Sequence, residues 1–230
     1  MGKKNYVLMK FFQNEDFKTQ FLNGKIYCNP AALYRKLEKN GIGDRCESVI
    51  FSHYKGSEQF DGIKLTMGLG SEFYKNEMNI YDYDTFIMRQ TGETDSWLNC
   101  WYLLEVTTTE PTKLIQDLDR MLTEFGEYAI LLNMNNFEEF LQRIKKYSTK
   151  SVDFCRVTYT DNPLKLNKTH KLSHYSYQNE FRFMFGQCDH RCVKAYDDLI
   201  VPGGFRDLVM DGFWLQLDDL EGNCWQRYFK

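Results

Sequence analysis

No strongly apolar run in this 230-residue chain extends beyond a few residues, as in Ala129-Ile130-Leu131-Leu132. A helix that crosses a bilayer needs about 20 such residues, so no membrane partner is expected. Charge of one sign is lacking as well. Lys and Arg number 29 against 32 Asp and Glu, a formal net charge of -3. A protein that coats DNA regardless of sequence needs a basic excess to neutralise phosphates. Extended non-specific DNA binding is excluded on that ground, and any nucleic-acid contact must be local. Proline is scarce, with four residues, and no Pro/Gly/Ser-rich linker, repeat or low-complexity stretch divides the chain. One α+β domain over 1–230 is therefore expected. Met1 to Tyr6 carries no apolar stretch of signal-peptide length, and Tyr6 stands where myristoylation wants Ser or Thr. A cytoplasmic location is expected.

What the chain does have is aromatic side chains: 18 Phe, 15 Tyr and 4 Trp. Aromatics favour strands and fill thick cores, and a chain of this size buries roughly 70% of its unfolded surface. The seven cysteines are odd in number and scattered, which suits reduced thiols better than a disulfide framework.

The patterning predicts strands at 6–12 and 25–28, then a short helix from Ala31 to Leu37 capped by Asn29 with Pro30 at its first position. Strands are expected at 49–52, within 62–69 and 78–88, and at 97–106. Leu114, Leu118, Met121, Leu122 and Phe125 recur at three-and-four spacing, which predicts an amphipathic helix ended by Gly126. A strand at 128–132 precedes a second amphipathic helix carrying Phe137, Phe140, Leu141 and Ile144, with Asn135 and Glu138 spaced as a capping pair. Further strands are expected at 152–159, at 181–185, near Val193 and, as a hairpin, within 213–229. The basic stretch 161–174 reads as a surface loop. The fold class is α+β: a single compact domain with a mixed or antiparallel sheet core and at least two amphipathic helices.

Two polar landmarks carry a resemblance. Phe21-Leu22-Asn23-Gly24-Lys25-Ile26-Tyr27-Cys28-Asn29, followed by Asp44-Arg45-Cys46-Glu47, resembles the N-terminal signature of an uncharacterised bacterial and phage domain family. Tyr175-Ser176-Tyr177-Gln178-Asn179-Glu180-Phe181-Arg182 resembles that family's late Tyr-x-x-Glu-x-Arg segment. The resemblance implies a phage- or mobile-element-type protein, and no general activity attaches to the family. A polar ligand-binding site is expected from Asp44, Arg45, Glu47 and Arg182 in these segments, with Lys171 and Tyr177 of the adjoining basic stretch, and its partner is expected to be a nucleotide-like small molecule or a host macromolecule. Gln178-x-Glu180 at a strand entrance also resembles the Gln/Glu-x-Glu motif of ADP-ribosyltransferases. That likeness implies NAD as cofactor and Glu180 and Gln178 as catalytic residues, with Glu180 steadying positive charge as nicotinamide leaves. Arg35 or Arg45 would then pair with the dinucleotide phosphates. The chain departs from those enzymes in lacking a Ser-Thr-Ser strand motif.

Other chemistries have less support. There is no Gly-x-Ser-x-Gly elbow, no phosphate loop, and only His53, His170, His174 and His190 are available as bases. Cys188-x-x-x-Cys192 with His170 and His174 does not match a paired zinc spacing, and no metal site is assigned. A metal-dependent nuclease would draw on Asp44, Glu47 and Glu180. Lys165, Lys168 and Lys171 beside Tyr175 and Tyr177 could meet a nucleotide. The plainer reading puts Glu180 and Arg182 on the exposed face of a strand that buries Phe181, Phe183 and Phe185. Every functional reading requires the loop around residue 45 and the strand entrance at 178–182 to meet across one solvent-reachable cleft.

Overall fold

The computed structural model describes residues 6–37, 42–54, 63–69, 72–80, 85–106, 110–218, 221–222 and 224–230. The N-terminal half runs β1 (Tyr6–Phe12), α1 (Glu15–Leu22), β2 (Lys25–Pro30), α2 (Ala31–Lys36), β3 (Phe51–Tyr54), β4 (Ile63–Leu69), β5 (Glu72–Ile80), β6 (Thr85–Met88) and β7 (Asp95–Glu105). Then come α3 (Pro111–Phe125), β8 (Tyr128–Asn133), α4 (Phe137–Tyr147), β9 (Val152–Arg156), β10 (Thr158–Thr160), β11 (His170–Leu172) and β12 (Glu180–Cys188). The chain ends with β13 (Tyr196–Ile200), β14 (Val209–Asp211), β15 (Phe213–Asp218) and β16 (Cys224–Phe229). Among the described residues no helix is long and apolar enough to cross a membrane.

The fold is α+β, built on one large antiparallel sheet. Its main path is β13-β2-β7-β1-β8-β14, with β12 and then β9 on the far side of β7. Alternation along β1 divides the core in two. Leu8 and Phe12 point to α1 and α4, where Phe21, Leu22, Phe140 and Ile144 are buried. Val7 and Met9 point to α3 and the C-terminal hairpin, where Leu118, Met121, Phe213 and Phe229 are buried. The two amphipathic helices expected from their spacing thus cover opposite faces, as α3 and α4.

Several details depart from the pattern-based expectation. Helix α1 was not among the expected elements, although its signals are local: the Asn14 side chain accepts from Phe17 N at 2.9 Å, and Glu15 and Asp16 occupy the first turn. Asn29 and Pro30 belong to β2, so α2 starts at Ala31 with no side-chain cap. Helix α4 starts at Phe137 without a side-chain cap, and Asn133 instead caps the 3-10 turn before it. Val193 lies outside β13, and 152–159 breaks into β9 and β10. The strand expected at 49–52 is β3, at 51–54. Those expected within 62–69 and 78–88 become β4, the end of β5 and β6, with residues 62 and 81–84 outside the described set. Met1 to Asn5 also lie outside it.

One turn depends on glycine. Gly24, between α1 and β2, has φ +95°, and a Cβ there would sit 2.0 Å from the Val201 carbonyl oxygen. That close approach lets Gly24 O accept from Val201 N at 2.9 Å and ties the β13 end of the sheet to α1.

The site is positioned by an irregularity in β7. On one side β12 pairs along it, from Phe185 with Trp97 to Glu180 with Tyr102. On the other side β2 pairs only at Trp97 and Leu98, and β1 begins at Tyr102. Among the described residues, Asn99, Cys100 and Trp101 therefore have no strand partner on that side, and the sheet is split there.

Candidate functional site

Two left-handed residues deliver the polar groups. Asn179 (φ 33°) joins the 3-10 segment Ser173–Gln178 to β12, and Ser48 (φ 60°) follows Glu47. Asn is among the residues that tolerate this region, whereas Ser pays some strain. Asn179 is held by Arg156 Nη2, which donates to its Oδ1 at 3.1 Å, and its backbone oxygen accepts from Leu103 N at 2.8 Å. Ser48 Oγ donates to Glu47 Oε1 at 3.0 Å. Arg35, in α2, fixes the same loop from behind: its Nη1 donates to Glu47 O at 2.8 Å and its Nη2 pairs with Asp95. Arg35 is therefore a buried brace and not a phosphate ligand.

The loop at 44–47 and the entrance of β12 do meet. Arg182 Nε donates to Glu180 Oε1 at 2.7 Å, while its Nη1 and Nη2 fork onto the two oxygens of Glu47 at 2.7 and 3.1 Å. Lys171 Nζ lies 2.9 Å from Glu180 Oε2, 3.4 Å from Glu47 Oε2 and 4.0 Å from Asp44 Oδ2, and it donates to Gln178 Oε1 at 3.0 Å. All five charged residues are buried, Arg182 completely. Both faces of β12 are thus covered, which overturns the expectation that Glu180 and Arg182 sit on an exposed face. Burial of this polar face is tolerable because Glu47, Lys171, Glu180 and Arg182 answer one another at 2.7 to 3.4 Å. The Asp44 carboxyl, 4.0 Å from Lys171, is answered at hydrogen-bonding distance, among the described residues, only by the Cys46 backbone N–H. The stretch 161–174 is not simply a surface loop either: β11 carries Lys171 into the network, while Lys165 stays exposed.

Burial alone would raise the Glu180 and Glu47 pKa values. Arg182 and Lys171 outweigh it and hold both carboxyls below the usual range. Burial would lower Lys171, but Glu180 and Glu47 hold it well above its ordinary value. Asp44 behaves oppositely. Burial, with Glu47 adding to it and Lys171 opposing, pushes it up to about 6.

A raised folded-state carboxyl costs nothing below its unfolded pKa and its full amount above the folded one. Asp44→Asn, whose oxygen can still accept from Cys46 N at 2.9 Å, should therefore match wild type near pH 4. It should exceed wild type by about 1–3 kcal/mol above pH 6. Urea unfolding at both pH values measures this, and a constant difference would contradict it.

A cavity of about 520 Å³ opens at the split in the sheet. Its walls mix aromatic rings, Phe12, Phe21, Tyr27, Trp101, Tyr102 and Phe125 among them, with charged and amide side chains, and it takes side chains from both sheet faces. The split is bridged by side chains. Asn99 Nδ2 donates to Tyr27 O at 2.9 Å, Trp101 Nε1 donates to Asn99 Oδ1 at 2.9 Å, and Lys10 Nζ donates to Cys100 O at 3.1 Å.

Of the residues expected from sequence, Glu47, Lys171, Gln178 and Glu180 reach the cavity wall. Asp44 stays behind them in the network, and Arg45 is exposed away from the cavity lining. Arg182 is enclosed by Glu47, Glu180 and the Lys168 carbonyl, so it cannot touch a ligand. Tyr177 cannot stack on a base: its ring is buried under the Arg120 guanidinium at 3.4 Å, and its hydroxyl donates to Glu124 Oε2 at 2.6 Å. Lys10, Asn29, Asn99 and Trp101 were missed. Their only signal is the register of β1, β2 and β7, which no local pattern displays.

Metal chemistry finds no donor set here. Among the described residues no group of three or more His, Cys, Asp and Glu side chains could hold a metal ion. Lys171 and Arg182 stand between the carboxylates Glu47 and Glu180 and pair with both. Compared with protein-family models, with curated proteins and with solved structures, the chain matches none.

Proposed function

We propose that this protein binds a nucleotide-like small molecule in the cleft at the split of its main sheet. The observation that carries the reading is a cavity whose wall combines aromatic rings with a set of fixed polar groups, among them Asn99, Lys171, Gln178 and Glu180. Flat rings gain from the aromatic walls, and the few polar groups set orientation, the usual division of labour in small-molecule sites. Lys171, Gln178 and Glu180 are held in place beforehand by the buried ion network, and Asn99 by its hydrogen bonds with Tyr27 O and Trp101, which lowers the ordering cost on binding.

Titration calorimetry with nucleosides, nucleotides and NAD tests this. At least one should bind, and Tyr27→Ala, which removes a ring that is 52% exposed, should weaken it by roughly fivefold. No binding across the panel, or unchanged affinity in Tyr27→Ala and in Gln178→Ala, would remove the reading.

NAD-dependent ADP-ribosyl transfer is the second reading, favoured by Gln178 and Glu180 lining the same cavity. It is placed second because both Glu180 oxygens already engage Arg182 and Lys171. Incubation with NAD, followed by a mass search for ADP-ribosylated protein or nucleic acid, tests it. Product must form with wild type and disappear with Glu180→Gln.

A further inference from the structure

The charges on the cavity wall are unevenly answered. Glu47, Glu180 and Lys171 compensate one another and Arg182. Lys10 does not share in this. It follows Met9, the last β1 residue paired with β7, so its side chain enters the gap beside Asn99, Cys100 and Trp101. Its ammonium lies 5.9, 6.0 and 5.6 Å from the ring centroids of Phe12, Phe21 and Trp101. It donates one hydrogen bond, to a backbone carbonyl. An ammonium has three donors, and among the described residues no carboxylate stands within ion-pair distance of this one.

A partly desolvated cation without a counter-ion is unfavourable in an apolar wall. The three rings offset part of this through their electron-rich faces. The remainder would be supplied by an anion arriving in the cavity. Burial lowers the Lys10 pKa, against weaker upward pulls from Cys100, Cys28 and Glu180, as expected of a cation lacking a close partner. Lys25, exposed and also on the cavity wall, adds positive charge.

We propose that the cavity takes ligands bearing an anionic group, carboxylate or phosphate, and that Lys10 Nζ in the split of the sheet receives it. This rests on the small-molecule reading of the cleft and names the charge its ligand carries.

Two matched pairs of probes test it by calorimetry: adenosine with adenosine 5′-monophosphate, and benzamide with benzoate. In wild type the anionic member of at least one pair should bind at least roughly tenfold tighter, the usual weight of a charge-assisted contact. Which pair shows the difference tells phosphate from carboxylate. In Lys10→Met the difference should shrink to within about twofold while the neutral member keeps its affinity, and Lys10→Arg should retain it. Lys10→Gln gives the same reading should the methionine variant fold poorly. Lys25→Met should keep most of the preference.

Equal affinity within both pairs, or a preference that survives loss of the Lys10 charge, would overturn the assignment. Binding of the neutral members would then leave the cleft reading standing. Failure of all four probes to bind would overturn the assignment of Lys10, and the cleft reading falls with it when the wider panel of nucleosides, nucleotides and NAD fails as well.

Discussion

Arg182→Met is expected to lose about 3–5 kcal/mol of folding free energy, because it leaves two buried carboxylates without their principal partner. Arg182 is completely buried, and its guanidinium joins Glu180 of its own strand to Glu47 of a distant loop. Methionine fills much of the same volume, so the loss reports orphaned charge and not a cavity. Glu47→Gln added to the Arg182→Met background should therefore recover part of the stability, although Glu47→Gln alone destabilises. A double-mutant cycle by urea unfolding measures this coupling. Additive effects of the two substitutions would show that the fork contributes nothing beyond its separate members.

Lys171→Met should cost a similar amount, about 3–5 kcal/mol at pH 7.5, but with a pH signature of its own. Lys171 faces Asp44, Glu47 and Glu180, with Arg182 behind the two glutamates. In wild type, Glu47 and Glu180 are held below their ordinary values. Their contribution is present above the unfolded carboxyl range and is lost as pH falls through their depressed folded values. Without Lys171 all three carboxyls move upward, and Asp44, already at about 6, moves further. A raised carboxyl destabilises increasingly as pH rises, so the deficit of Lys171→Met relative to wild type should shrink between pH 7.5 and pH 5. Unfolding midpoints across that range decide it. A deficit independent of pH would mean that Lys171 acts by packing alone.

Both results bear on the site as well as on the fold. Glu47, Lys171 and Glu180 belong to the ion network and to the cavity wall at once. The network fixes how these three side chains sit in the cavity wall. The pairing that allows this polar surface to be buried also fixes its orientation.

Much of this architecture was legible from local pattern. The three-and-four spacing of Leu114 to Leu122 and of Phe140 to Ile144 identified two helices, and alternation from Phe181 to Phe185 identified a central strand. The polar landmarks at 44–47 and 178–182 were also visible, and the structure brings them together. Their burial was not legible. The polar side of β12 reads as solvent-facing in sequence, since the cations and carboxylates that cover it come from a loop about 135 positions upstream and from β11. Helix α1 was overlooked although Asn14, Glu15 and Asp16 form a serviceable start signal.

Pattern alone specifies the α+β class and the amphipathic faces of α3 and α4, because propensity and periodicity act within a few residues. Folding in three dimensions makes Arg35, Tyr177 and Arg182 internal braces and brings Lys10, Asn99 and Trp101 to the cavity wall. Those roles follow from strand register: β2 and β1 leave the same edge of β7 at different points, and a gap between two ladders has no counterpart in the pattern of any one of them.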